Sequence, residues 1–474
     1  MSENSLQNTL VCKPWQHANL VCWLIVLVFF CLHLAYINTP FINLEWAYRQ
    51  GSQFFLTGSE QSLNDYFQYQ ANPLTYSYLS SWVVKLNGMD VYASYRLFAL
   101  GGGTLLLVWL ARFGNPWLLI IIGLNPLIWI YSGRAYSELL SVSLMVVAYD
   151  IHQRYYLKSI LGGFAGMVKY HAWPVLLLYL GFSWLAEVFN NRFRDWHRNR
   201  LFEIIFIIAL VILFLLLYRK ATGFWLYPDH FRSVMVTSSF QNWLNNIFSY
   251  GFYLSGMFFL TIPALVNRNA WKLKLLLFVI SLWIAINNQN LGEMDFGSFE
   301  QLLGNEIIIL IKAVSFWNFC CCCYLFFQSR ESRVLILTII FYIIILSLTR
   351  PAQRYLIFII PFWAMLVCGT ISLQRFLWVG YAFTLVVLNL FATLYQINNA
   401  RASSRMADWA KENNLIIDFG AIHPHIGNNS RHDPSSPYKV VIGSSGSEVI
   451  VHEEEVAVLG KRIRIYNLVN RDSQ

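Results

Sequence analysis

The chain has 474 residues, 57% of them hydrophobic and only 12% charged, with a formal net charge of +9. A soluble domain carries about 25% charged residues, so this composition excludes a single soluble globular fold, and the long apolar blocks point to membrane spans. The Lys and Arg residues lie in short segments between those blocks, which reads as orientation on a membrane and excludes a nucleic-acid-binding surface.

The first apolar block, 18–36, is too long for a signal-peptide core and reads as a retained signal anchor. A long connection, 37–96, follows. It carries amphipathic stretches at 46–55 and 75–84, expected to be helices along the membrane surface. Further apolar blocks lie at 97–112, 116–132, 136–151, 158–170, 172–188, 201–218, 250–267, 273–287, 305–327, 333–349, 353–372 and 376–396, about thirteen spans in all. Cys320, Cys321, Cys322 and Cys323 fall inside one of them. Neighbouring helical residues point about 100° apart, so this run reads as small apolar filler and not as a metal site.

With the N-terminus in the cytoplasm, alternation places Arg192, Arg194, Arg198, Arg200, Arg268, Lys272, Lys274, Arg330 and Arg333 inside, and Glu293, Asp295 and Glu300 outside. That is the positive-inside pattern, and an odd span count puts the C-terminus outside. Three outer segments exceed simple turns: 37–96; the aromatic-rich 219–249 with Phe224, Trp225 and Trp243; and the tail from 397. In the tail, 403–413 reads as a short N-capped helix, and 438–442 and 462–466 read as strands. The expected fold class is thus an α-helical polytopic membrane protein of about 13 transmembrane helices. Outer-face amphipathic helices and a small C-terminal α+β domain complete it. The domain division is 1–396 for the membrane part and 397–474 for the extracytoplasmic part. His423, His425 and His432 near Asp433 lie in a Pro-, Asn- and Ser-rich stretch that reads as a solvated loop, and no metal is assigned there.

Charged residues at membrane level are costly and therefore suggest function. Glu45 follows the first span in Asn43-Leu44-Glu45-Trp46, where a carboxylate in a water-poor cleft is placed to take a proton from a hydroxyl. Beyond it come Asn72-Pro73-Leu74-Thr75-Tyr76, then Arg134-Ala135-Tyr136-Ser137-Glu138, then Gly162-Gly163 through Lys169-Tyr170-His171, and late in the chain Arg350-Pro351-Ala352-Gln353-Arg354-Tyr355. Arg134, Lys169, His171, Arg350 and Arg354 all map to the outer membrane edge, where guanidinium forks suit phosphate oxygens. Glu138 opens a span and is expected to pair with Arg134 four residues earlier, as a structural or a catalytic group.

The order and topological side of these motifs over 35–365 resemble the GT-C superfamily of membrane glycosyltransferases. The bacterial branch that includes lipid A aminoarabinose transferases and protein O-mannosyltransferase relatives is the nearest likeness. The resemblance implies an inverting transfer of one sugar from a polyprenyl-phosphate donor to a glycan, lipid or protein acceptor outside the cytoplasm, at a bacterial inner membrane. By that resemblance a first-loop carboxylate, Glu45 or Asp65, is the base. Arg354, Lys169, His171, Arg134 and Arg350 hold the donor phosphate, and Tyr355, like Glu138, is a structural or catalytic group beside them. Members often carry paired acids in the first loop, whereas Asn43 and Leu44 precede Glu45 here, so the choice between Glu45 and Asp65 stays open. A divalent cation is compatible with this chemistry, and no ligand is assigned to one. An O-antigen-type polymerase or ligase would place its main loop late in the chain. A lipid or solute transporter would show mid-span charges and pseudo-symmetric halves.

Overall fold

The computed structural model describes residues 20–35, 37, 45–69, 72–150, 155–188, 195–226, 228, 230, 239–266, 271–287, 305–328, 330–349, 352–370, 375–418, 436–442 and 449–470. Four helices are long and apolar enough to cross a membrane: Val91–Ala111, Leu201–Thr222, Glu306–Gln328 and Phe376–Glu412. Shorter apolar helices such as Leu20–Leu34, Tyr156–Val168 and Ala172–Ala186 accompany them. This is the mostly helical architecture expected of a membrane protein.

Three expected spans take a different form. The block 116–132 is broken into the helices Pro116–Gly123 and Pro126–Ser132. Asn115 and Asn125 each cap the following helix, their side-chain oxygens accepting Trp117 N–H (3.1 Å) and Leu127 N–H (3.1 Å), and a proline follows each cap. Proline at a first helical position lacks an N–H that would be orphaned anyway, so each Asn-Pro pair starts a new helix inside one apolar run. The block 250–267 begins earlier, as Phe240–Gly256, and resumes after a turn as Thr261–Val266. The block 353–372 opens with a 3-10 helix, Gln353–Phe358, before Ile360–Thr370.

The first long connection is helical where amphipathicity indicates it, over Glu45–Thr57 and Thr75–Asn87, with a further helix, Glu60–Tyr69, between them. These helices enclose a separate core rich in tyrosine, where Tyr48, Tyr66, Tyr76, Tyr95 and Tyr136 are buried together. Burial above all pushes the Tyr48, Tyr66 and Tyr76 phenols well above their ordinary pKa, so each acts as a neutral hydroxyl. Beneath lies the main apolar core, in which the helix Glu138–Asp150 packs against Val91–Ala111 and Tyr155–Val168. Gly102 makes that packing close. A Cβ there would come within 2.5–2.7 Å of backbone atoms of Leu139 and Leu140.

The last helix runs unbroken from Arg375 to Glu412, 38 residues, or about 57 Å at 1.5 Å per residue, far more than a bilayer's hydrocarbon core requires. The segment 403–413 therefore falls on the C-terminal end of this helix and is not a separate capped one. The division at 396 falls inside it. Near its C-terminal end one face carries Ala402, Met406 and Ala410 at helical spacing, packed on Val440, Val456, Tyr466 and Leu468 of a four-stranded sheet. The strands are β1 (Ile417–Asp418), β2 (Tyr438–Ile442), β3 (Val449–Val458) and β4 (Lys461–Asn470), in the order β1-β2-β4-β3. β1 runs parallel to β2, and the other pairs are antiparallel.

Candidate active site

Glu138 is the first residue of its helix and has no exposed surface. Two cations from distant parts of the chain meet its carboxylate. Lys169 Nζ lies 3.1 Å from Oε1 and Arg354 Nε lies 3.5 Å from the same oxygen. Lys169 directly follows the Tyr155–Val168 helix, its N–H still bonded to Ala165 O at 3.0 Å. Arg354 sits in the first turn of the 3-10 helix. The three side chains differ in access: Glu138 and Lys169 are 0% and 1% exposed, whereas Arg354 is 20% exposed. One carboxylate between two cations leaves a positive charge in excess, and Arg354 alone carries it to a surface.

Around this cluster the polar contacts are continuous. Lys169 Nζ also donates to Asn72 Oδ1. Asn72 Nδ2 donates to the Tyr48 hydroxyl at 2.9 Å, and Tyr66 donates to the Asn72 carbonyl at 3.1 Å. The Arg354 guanidinium lies over the Tyr355 and Tyr136 rings, 5.3 and 5.5 Å from their centroids, and Lys169 lies 5.5 Å from the Tyr355 ring. His171 stacks on Tyr355 with centroids 3.8 Å apart. Burial first, and then Lys169 and Arg354, lower its pKa well below the ordinary value, so it is neutral and adds no charge toward an anion.

The expected Arg134–Glu138 pair does not form. Arg134 lies in the turn before the helix, so the i, i+4 geometry of a helix does not apply, and its Nε donates to Gln396 Oε1 at 3.2 Å. Glu45 is fully buried. Its Oε1 accepts the Ala135 N–H at 2.7 Å and its Oε2 lies 3.1 Å from Arg96, which also donates to Ile37 O at 2.9 Å. Asp65 is half-buried on the Glu60–Tyr69 helix and accepts from Gln61 at 2.8 Å. Arg350 lies outside the described residues, as do His423, His425, His432 and Asp433. Among the described residues there is no group of three or more His, Cys, Asp or Glu side chains that could hold a metal ion.

Sequence reasoning did not single out Asn72 as a site residue, nor Arg96 or Tyr48. Asn72 opens the Asn72-Pro73-Leu74 motif, and Arg96 stands at the edge of an apolar block, where a charge needs a partner. A buried carboxylate with two cations, one of them reaching a surface, can accept an anion at Arg354 with little rearrangement, since the positive charge is already assembled. Comparison with protein-family models, curated proteins and solved structures finds no match to this chain.

Proposed function

We propose that this chain is an integral-membrane glycosyltransferase of the extracytoplasmic face, moving one sugar with inversion from a polyprenyl-phosphate donor to a glycan, lipid or protein acceptor. The single observation that carries this reading is the convergence of Lys169 and Arg354 on Glu138, with Arg354 part-exposed. A departing lipid phosphate gathers negative charge, and an assembled cationic pair lowers the barrier to its departure. Arg354 meets the phosphate, Lys169 adds its field from behind, and Glu138 holds both side chains in place. Neutral His171 and Tyr355 form an aromatic floor beneath them.

The membrane path proposed is about thirteen crossings, with the N-terminus cytoplasmic and the C-terminus outside. The helices Pro116–Gly123 and Pro126–Ser132 together count as one crossing. Of the two candidate bases, burial favours Asp65. A proton taken by Glu45 would break a buried ion pair with Arg96 and weaken the hold on Ala135 N–H, which is costly. Asp65 is half-buried, and its amide partner Gln61 is neutral, so taking up a proton there breaks no buried ion pair with Gln61.

The test is donor consumption by the full chain in nanodiscs, using a panel of short-chain polyprenyl-phosphate sugars with membrane extracts as the acceptor source. Transfer or release of one sugar, abolished in Arg354→Ala, is expected. Consumption of no donor by a folded, correctly inserted chain overturns the reading.

A further inference from the structure

Near the ion cluster lies a concave feature that the mechanism does not use. An open cleft of about 540 Å³ forms between the Glu60–Tyr69 helix and the chain leaving the Asp195–Thr222 helix. Its lining combines the amides of Asn64 and Gln68, the hydroxyl of Thr222, and the rings of Phe67, Phe224 and Pro228. Among the described residues no Asp, Glu, Lys or Arg lines it, and Leu63, Ala221 and the exposed His230 complete the lining.

Asn64 and Gln68 stand four residues apart and so share one helix face. Both are exposed, and neither amide bonds to another described residue, so their donors and acceptors face solvent. Thr222 Oγ1 donates to Tyr218 O at 2.7 Å, which commits its proton and leaves its lone pairs to accept. Phe67 and Phe224 meet edge to face at 4.7 Å and 89°, an arrangement that leaves ring surface unused by the pair. Phe224 is half-buried, fixed by Tyr218 at 5.9 Å, and so presents a rigid aromatic surface to the cleft.

A ligand for this lining needs a flat apolar face to lie on a ring and a rim of neutral hydroxyls for the amides. It needs no charge. A pyranose ring has that chemistry: C–H bonds on its faces and hydroxyl groups around its edge. We propose that the cleft binds an uncharged oligosaccharide, which on the transferase reading above is the glycan part of the acceptor. Asn64 and Gln68 engage its hydroxyls and Phe224 stacks on a sugar face. The two sites share a wall. Phe67 faces the cleft, while its neighbour Tyr66 donates to the carbonyl of Asn72, whose side chain holds Lys169.

The experiment is saturation-transfer NMR and titration on the full chain in nanodiscs, with cellotetraose, mannotetraose and chitotetraose as neutral probes and tetragalacturonate as the charged control. Saturable binding of at least one neutral probe is expected, with the strongest transfer to the C–H protons of one sugar face. Phe224→Ala should weaken it about tenfold, the loss of one aromatic contact. Asn64→Ala with Gln68→Ala should weaken it about as much, and the unchanged thermal midpoint of this exposed pair keeps the test independent of folding. Arg354→Ala should leave it unchanged. Absence of binding by all three neutral probes, binding unaffected by the cleft substitutions, or preference for tetragalacturonate overturns the proposal. If the probes bind as expected and no donor is ever consumed, the cleft stands and the transferase reading falls. Donor consumption without cleft binding removes the cleft and keeps the transferase.

Discussion

Lys169 and Glu138 form an ion pair at 3.1 Å with neither side chain more than 1% exposed, and Arg354, 20% exposed, reaches the same carboxylate oxygen at 3.5 Å. A buried pair of this kind is weak evidence for net stability, yet removing one partner strands the other. The consequences for Glu138 and Arg354 therefore differ. Glu138→Gln leaves two cations facing each other and should destabilise the fold by about 3–5 kcal/mol, read as a large fall in thermal midpoint. Arg354→Ala leaves the Lys169–Glu138 pair intact and should change the midpoint little. Donor turnover should nevertheless fall by about two orders of magnitude, and Arg354→Lys should recover only part of it because the fork is lost. Equal midpoint losses in the two variants would show that Arg354 is a structural partner only.

Glu45 and Asp65 should separate in the same way. Glu45→Gln removes the charge that Arg96 balances, so its main effect should be on stability and expression. Asp65→Asn should leave the thermal midpoint in place while turnover drops about 10²–10⁴-fold, the contribution of a general base. Turnover that survives Asp65→Asn and vanishes in a well-folded Glu45→Gln protein would return the base to Glu45.

His171 sets a pH dependence whose sign follows from its lowered pKa. Below about pH 6.5, the ordinary value, the unfolded chain takes up a proton that the folded protein, with Lys169 and Arg354 beside the ring, refuses. The unfolded state then binds more protons, so stability falls as pH drops below that point. His171→Phe keeps the stacking on Tyr355 and removes the proton site. Its thermal midpoint should decline less than wild type between about pH 6.5 and 5. Parallel declines would mean that His171 is protonated in the folded state.

Gly102→Ala tests how the Glu138 helix is seated. Its new Cβ would meet backbone of Leu139 and Leu140, which cannot swing aside as a side-chain tip can. A loss of about 1–3 kcal/mol is expected for overpacking, together with reduced turnover, since Glu138 moves with Leu139. A neutral outcome would place the two helices farther apart.

Reporter fusions test the membrane path. Fusions after Arg200, Lys274 and Arg333 should read cytoplasmic, and those after Trp225, Gly292 and Gln474 external, as the charge asymmetry directs. A cytoplasmic C-terminus would contradict an odd number of crossings.

Much of the helical layout is legible in the sequence because apolar blocks and amphipathic stretches are local signals. The helices Glu45–Thr57 and Thr75–Asn87 and the strand Tyr438–Ile442 all lie where periodicity points. The break at Asn125-Pro126 is also written in the chain, but uninterrupted hydropathy outweighs the cap. The helix through 396–412 escapes sequence reasoning for the opposite reason. Polarity rises at 397 as the chain leaves the apolar region, yet a backbone ladder needs no apolar side chains to continue. Site residues are legible as types and not as partners. Arg134 looks committed to Glu138 by spacing, while the partners that Glu138 takes stand 31 and 216 positions further along. Such pairings are decided by helix packing, and no local pattern encodes them.

The unbroken helix Arg375–Glu412 joins the small sheet to the ion cluster as a single rod. Its C-terminal end is clasped by the strands, with Asn398 donating to Ala457 O at 2.7 Å and Asn399 accepting from Tyr466. Just below, Gln396 receives the bond from Arg134, and Thr393 receives one from Trp129. The turn that aims Glu138 is thus fastened to the same shaft as the sheet, with no hinge between the two attachments. Displacement of the sheet therefore turns a stiff spindle whose other grip is four residues from the carboxylate, so orientation of the sheet and geometry of the ion cluster form one mechanical coordinate.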